Sequence, residues 1–333
     1  VRLSSVQKRS LIGLIAAAAM VTLAACSSGS TGAKGNQPGR VATSSTPTAT
    51  PSPVQAAKWY VSVGDSYAAG WQATGQGSGH TTRNGFAYQL TSEAPSKGYR
   101  LTLQNFGCGG ATTTSVLSSQ GCPAVALGPG ATPYPTTTQE AAAIAFIKAH
   151  PGQIGLITVS IGGNDITKCA AEANPVPCVA GAINSVKTNV TKLVKDLRAA
   201  AGPGVPIRGI TYPDVILGEY LSGQSGQQLA SLSVTAFKSL INPALSAAYK
   251  SVGGQLVDVT TATGAYTPLS QTTTLAPYGT IPVAVAKVCS LTYYCQYKDI
   301  HPHTDGYKII ADLLLNSLPA NSASSTNSAS SSG

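Results

Sequence analysis

Near the C-terminus the chain reads "KDIHPHTDGYKII" over residues 298–310, which sets His301 and His303 among Asp299 and Asp305. Two chemistries use such residues. Imidazole and carboxylate groups can hold zinc, provided that three or four of them converge. A histidine that follows an acid and leads into an amphipathic helix can instead carry a catalytic base. The other two histidines are His80, in a Gly-rich loop, and His150, before Pro151, expected at a helix end. Neither has ligand-type spacing, and no C-x-x-C is present. The expectation is therefore no metal, which leaves a catalytic base as the other reading of the stretch, with His303 at the start of the helix and Thr304 or Asp305 helping to cap it.

Three further stretches could complete such a site. "GDSYAAG" (64–70) holds Ser66 on a Gly-supported turn at a helix start, where free N–H groups lie close to the hydroxyl. The bland alternative is a helix cap. The α/β-hydrolase elbow G-x-S-x-G is not met, because Ala68 stands at its last position. "NFGCGGATTTSV" (105–116) has glycines in series, the composition of a loop whose N–H groups face outward as an anion nest. "SIGGNDI" (160–166) turns at Gly162 and Gly163 and offers the amide of Asn164. Its alternative is a glycine turn with a local Asn cap.

These stretches follow strand-like segments. "WYVSVGDS" (59–66), "YRLTLQNFG" (99–107), "IGLITVSIGGND" (154–165), "VPIRGITYP" (205–213) and "GQLVDVT" (254–260) read as strands, the third apolar enough to be buried on both faces. Helical stripes run over 182–200, over 228–252 with an interruption at Pro243, and over 306–318. Alternating strands and helices predict a doubly wound α/β sheet, whose site lies beyond the carboxyl ends of the strands. Each of the first three motifs leaves such an end; the histidine arrives last in the chain.

Taken together, "GDS", "NFGCGGAT", "GGND" and "DIHP", in this order, resemble the GDSL (SGNH) hydrolase family over roughly residues 58–319. The resemblance implies a three-layer α/β/α fold of flavodoxin-like type with a mostly parallel central sheet, and a serine esterase or lipase that needs no cofactor. It implies Ser66 as nucleophile and His301, which precedes Pro302 and stands five residues before Gly306-Tyr307, as base. The oxyanion donors would be the N–H groups of Ser66 and Gly110 and the side chain of Asn164. One departure stands out. The acid of the family commonly lies three residues before the histidine, where this chain has Lys298. Asp299, two before, is assigned as the acid; the alternative is a backbone carbonyl near Lys298. The cysteines and an exported location are similar to the actinobacterial branch of the family.

The flanking segments bear on location. Residues 1–25 combine Arg2, Lys8 and Arg9 with an apolar run too short for a comfortable span, which needs roughly 20 residues. The run ends in "LAAC", a lipobox pattern that makes Cys26 the expected lipidated residue of a protein anchored to the outer face of the cell membrane. Residues 26–57 form a Ser/Thr/Pro/Gly-rich linker and 320–333 a low-complexity tail expected to be disordered. The remaining six cysteines fall into three local couples, predicting Cys108–Cys122, Cys169–Cys178 and Cys289–Cys295. The formal charge of +9 contains no Lys/Arg run, which argues against a nucleic-acid partner.

The expected partner is an ester substrate: a small acyl ester, a lipid or an acylated glycan. Thr-, Gly- and Pro-rich loops over 71–85, 121–139 and 264–282 lean towards short acyl chains or sugar esters. A monomer is expected. The rival functions are an O-acetyl esterase or acyltransferase on cell-envelope glycans, and a non-catalytic envelope-binding lipoprotein.

Overall fold

The computed structural model describes residues 57–171 and 175–319. The leader, Cys26, nearly all of the linker and the tail lie outside the described residues. Among the described residues no helix is long and apolar enough to cross a membrane.

All five expected strands form, as Lys58–Gly64, Leu101–Asn105, Ile154–Ser160, Ile207–Ile210 and Gln255–Val257. They make one parallel sheet in the spatial order second, first, third, fourth, fifth. Alternation along the strands explains the layers. Val61, Val63, Ile157 and Val159 point into a core shared with the helix Pro175–Ala201, while Tyr60 and Leu156 point into the opposite core with Phe86 and Leu90. That second core also holds Tyr307, Ile310 and Leu314 of the helix Thr304–Asn316. Even the polar positions of the sheet are internally satisfied, as where the buried Tyr60 hydroxyl meets Thr158 Oγ1 at 2.8 Å.

The chain moves outward from the first strand to the second, then back past the first to the third. The crevice at that reversal is where doubly wound sheets bind ligands. Gly64 pairs with Ser160 and Ser62 with Asn105, so the three strands that carry the motifs end side by side.

Two stretches gain detail. The interruption expected at Pro243 in the stripe over 228–252 takes the form of a π turn at Phe237–Ile241, between Gln224–Ala236 and Asn242–Lys250. Pro243 has no N–H to continue the α pattern, and the wider turn accommodates it. The loops over 71–85 and 264–282 contain antiparallel hairpins, Trp71–Gly75 with Ser78–Thr81 and Thr272–Leu275 with Gly279–Pro282. Their Thr- and Gly-rich strands carry little apolar alternation, so the signal is weak.

The three disulfides pair as expected, with Cα separations of 5.9, 5.5 and 5.1 Å for Cys108–Cys122, Cys169–Cys178 and Cys289–Cys295. The first pins the glycine loop after the second strand, and the third pins the approach to His301.

Candidate active site

Ser66 stands at the first position of a short helix, Ser66–Ala69, directly past the first strand. Gly64 makes that turn possible. Its φ of 148° is open to glycine, and a Cβ there would fall 2.1 Å from the Ser160 carbonyl oxygen. Asp65 caps the helix: its Oδ1 accepts the Tyr67 N–H at 3.0 Å, and its Oδ2 accepts the Tyr212 hydroxyl at 2.6 Å. Gly64 is braced from outside by Gln139, which is buried. Gln139 Oε1 accepts the Gly64 N–H at 2.7 Å and its Nε2 donates to the Gly64 carbonyl at 3.0 Å.

His301 lies between the turn Tyr294–Tyr297 and the helix Thr304–Asn316. Its Nε2 is 2.7 Å from Ser66 Oγ and its Nδ1 2.7 Å from Asp299 Oδ1. The same carboxylate oxygen accepts the His301 N–H at 2.9 Å. This compact D-x-H arrangement depends on Lys298, which has a φ of 55° and is the one non-glycine residue with positive φ among the described residues. The chain turns there, and the carboxylate swings under the imidazole. Nδ1 thus meets a carboxylate, where the alternative expected a backbone carbonyl.

The histidine segment is held at several points. The Tyr67 hydroxyl donates to the Ile300 carbonyl at 2.6 Å, the Tyr293 N–H to the His301 carbonyl at 3.0 Å, and the His303 N–H to Leu291 at 2.8 Å. Gly306 lets the following helix close on that loop, since a Cβ there would stand 2.3 Å from the Leu291 oxygen.

The glycine loop differs from the expected nest. Gly107 donates its N–H to Asn105 Oδ1, Cys108 to the Gly64 carbonyl, Gly109 to Ala126 and Ala111 to Cys108. These amides are spent within the protein: two tie the loop to the strand ends at Asn105 and Gly64, one to the turn Ala124–Ala126 and one within the loop. Gly110 alone between Gly107 and Ala111 keeps an N–H without a partner among the described residues, and it is exposed, with a φ of 79°. The third motif is stapled to this loop. Asn164 donates one amide hydrogen to the Ala111 carbonyl at 2.9 Å, leaving its second free among the described residues. Asp165 accepts from both the N–H and the hydroxyl of Thr113, at 2.9 and 2.6 Å.

Electrostatics fix the tautomer. Burial pushes Asp299 upward, but the hydrogen bonds and charge of His301 outweigh it and hold the carboxyl below its ordinary value. An ionised Asp299 can only accept, so Nδ1 of a neutral His301 carries the proton and Nε2 is left to accept the Ser66 hydroxyl. Burial pushes the Asp65 carboxyl up to about 6, against the opposing hydrogen bonds of Tyr212 and Tyr67.

His303 itself occupies the cap position of its helix. Neither Thr304 nor Asp305 supplies a side-chain cap, and the His303 ring instead places Nδ1 2.9 Å from the Ser290 carbonyl, against Tyr293. His150 ends the helix Gln139–Ala149 with its ring 4.2 Å from that of Phe146. No group of three or more potential metal ligands occurs among the described residues.

The sequence reading missed Tyr67, Gln139 and Tyr212. An aromatic residue directly after Ser66 was the one local hint; the other two reach the site from distant segments.

Comparison with known proteins decides the family. The model of the GDSL-like lipase/acylhydrolase family matches residues 62–309, most of the chain. The chain belongs to that family. As a GDSL-like acylhydrolase it is a hydrolase acting on carboxylic ester bonds. Among solved structures, phospholipase A1 from Streptomyces albidoflavus is 19% identical, with a TM-score of 0.47, over 79% of this chain and 100% of that one. The extracellular lipase of Streptomyces rimosus is 17% identical, with a TM-score of 0.44, over 79% and 100%. An acetylxylan esterase from Geobacillus stearothermophilus is 13% identical, with a TM-score of 0.42, over 78% and 93%. No curated protein matches.

Proposed function

We propose that this GDSL-family hydrolase is an exported, lipid-anchored serine esterase that works through an acyl-enzyme on Ser66. The observation that carries the reading is the unbroken contact from Ser66 Oγ through His301 to Asp299, both links at 2.7 Å. His301 Nε2 takes the hydroxyl proton as Ser66 Oγ attacks the ester carbonyl. Asp299 holds the tautomer and stabilises the imidazolium. The developing oxyanion is received by the N–H groups of Ser66 and Gly110 and by the free amide hydrogen of Asn164. The first N–H of a helix has no partner within it, which suits Ser66 to this part. His301 then protonates the leaving alcohol, and water activated by the same nitrogen releases the acid. The cycle needs no cofactor.

Export and anchoring rest on the leader and the "LAAC" pattern at Cys26; the three disulfides fit an oxidising compartment. The substrate is a short acyl ester or an acylated sugar. An envelope O-acetyl esterase or acyltransferase is the second reading, favoured by a tether of Ser, Thr, Pro and Gly that would hold the domain near the wall.

The test is hydrolysis of p-nitrophenyl esters from acetyl to palmitoyl by the full chain in detergent, beside Ser66→Ala. Turnover abolished in the variant is expected. If wild type is inactive on these and on acetylated glycans, the catalytic reading fails and an envelope-binding lipoprotein takes its place. Detergent-phase partition of Cys26→Ala tests the anchor, with loss of partition expected.

A further inference from the structure

Two aromatic side chains flank the His301 imidazole. Tyr67, with ring centroids 5.8 Å apart, is buried, and its hydroxyl is committed to the Ile300 carbonyl. Trp71, at 5.9 Å and an interplanar angle of 49°, is only partly buried. Its indole N–H has no hydrogen-bond partner among the described residues.

The position of Trp71 is built rather than incidental. It opens the hairpin strand Trp71–Gly75, pairs with Thr81, and its carbonyl accepts the buried Tyr307 hydroxyl at 2.8 Å. Across the hairpin, Gly79 leaves room for the ring: a Cβ there would stand 2.9 Å from the indole Cε2 and Nε1. The bare glycine thus gives the indole room on one side, while the ring lies tilted at 49° to the imidazole.

Reaction chemistry says which half of the substrate meets this ring. As the tetrahedral intermediate collapses, the carbonyl C–O bond to the alcohol breaks while the bond to Ser66 Oγ persists. The proton taken from Ser66 passes from Nε2 to the departing oxygen. The alcohol therefore leaves beside the imidazole, whereas the oxyanion donors hold the carbonyl. A ring beside the imidazole faces the alcohol side.

We propose that Trp71 is the specificity-determining platform for the alcohol, selecting esters whose alcohol carries a ring that can lie on the indole, an aryl ring by its face or a pyranosyl ring by its apolar C–H face. The free N–H is then available to a ring substituent. This rests on the serine esterase reading. An aromatic contact of this kind is worth about 5–10-fold in discrimination.

The experiment compares kcat/KM for benzyl acetate and n-hexyl acetate, and for a methyl glycoside acetate against n-hexyl acetate, using the full chain in detergent. Wild type is expected to favour at least one ring alcohol. In Trp71→Ala that ratio falls about 5–10-fold, while Trp71→Phe, which keeps a ring, retains most of the aryl preference. Loss in the benzyl arm assigns an aryl alcohol, and loss in the glycoside arm a sugar. The order of preference along a p-nitrophenyl acyl series stays the same. An unchanged ring ratio in Trp71→Ala, or a reordered acyl series in its place, overturns the proposal. Should Trp71→Ala not fold, as read by circular dichroism, Trp71→Leu, which fills the space without a ring, decides: its ring-to-chain ratio must fall as well, and an unchanged ratio overturns the proposal. A folded wild type that hydrolyses no ester fails the serine esterase reading itself and removes this inference with it, a result distinct from an unchanged ratio.

Discussion

Asp299 and His301 are bound twice across a single intervening residue: one carboxylate oxygen meets both the ring Nδ1, at 2.7 Å, and the backbone N–H, at 2.9 Å. The second bond fixes the carboxylate before the ring arrives, so orientation does not depend on the ring contact alone. Lys298 makes the turn possible, at a φ that L-residues seldom adopt. It is tied down by Glu219, whose Oε1 lies 3.1 Å from Nζ. Replacing Asp299 with Asn is expected to lower kcat by about 10²–10⁴-fold. The amide loses the charge that stabilises the imidazolium. Steady-state kinetics on p-nitrophenyl acetate check this, and a change under 3-fold would return the orienting role to the backbone.

Tyr67 couples the nucleophile to the base, since it follows Ser66 and its hydroxyl holds the Ile300 carbonyl at 2.6 Å. In Tyr67→Phe that carbonyl loses its donor, at a cost of about 1–2 kcal/mol. The melting temperature should fall by roughly 2–8 °C for a domain of this size. The prediction that separates positioning from stability is kinetic. kcat should drop about 10-fold with KM little changed, short of the ~10² that a 1 Å misplacement can cost. A lower melting temperature at unaltered kcat would leave Tyr67 a purely structural residue.

Much of this was legible in the sequence because it is locally encoded. The strand Ile154–Ser160 is buried on both faces, and an unbroken apolar run is what such burial demands. Ser66 and Asn164 stand in short motifs past strand ends, and His301 in one that leads into a helix. What escaped depends on partners far along the chain. The glycine loop reads as an anion nest by composition, yet Cys108 and Gly109 donate to Gly64 and Ala126, and neither partner can be inferred from the loop itself. Gln139 lies 75 residues from Gly64, and nothing in its neighbourhood marks it as more than the first residue of a helix. The π turn before Pro243 is foreshadowed only as an interruption.

Gln139 makes a third prediction. Its amide satisfies both backbone groups of Gly64, and its Nε2 also reaches the Tyr134 hydroxyl at 3.2 Å, which in turn donates to the Phe106 carbonyl at 3.0 Å. One side chain thereby joins the Ser66 turn to the root of the glycine loop. Gln139→Met keeps the length but strands the buried Gly64 N–H, at roughly 1–3 kcal/mol, while the Gly64 carbonyl keeps the Cys108 N–H. The expected outcome is a marked loss of stability in urea unfolding together with a lower kcat. Gln139→Glu restores the acceptor for the Gly64 N–H but sets a carboxylate against its carbonyl, so it should rescue neither. Wild-type behaviour in both variants would show that the turn holds without the brace.

Asp214 contributes to the pH dependence of stability. It is buried just past the fourth strand; Ser233 donates to its Oδ2 at 2.8 Å, and its Oδ1 has no partner among the described residues. Burial pushes its carboxyl up to about 7, outweighing the hydrogen bonds from Ser233 and nearby backbone. An acid whose folded value lies above its unfolded value binds more protons when folded, so its contribution is fully present below about pH 4, where both states are protonated. That contribution declines as pH rises towards 7, because only the unfolded chain ionises freely. At about 1.4 kcal/mol for each pH unit, the loss is on the order of 4 kcal/mol by neutral pH. Asp65, raised to about 6, adds a loss of the same sign. Asp214→Asn removes the ionisable group while keeping the shape. Its stability relative to wild type, from urea unfolding at a series of pH values, should therefore climb between pH 4 and pH 7 and then level off. Asp65 leaves a residual slope in both proteins. A stability difference that stays constant across that interval would mean that Asp214 is ionised in the folded protein.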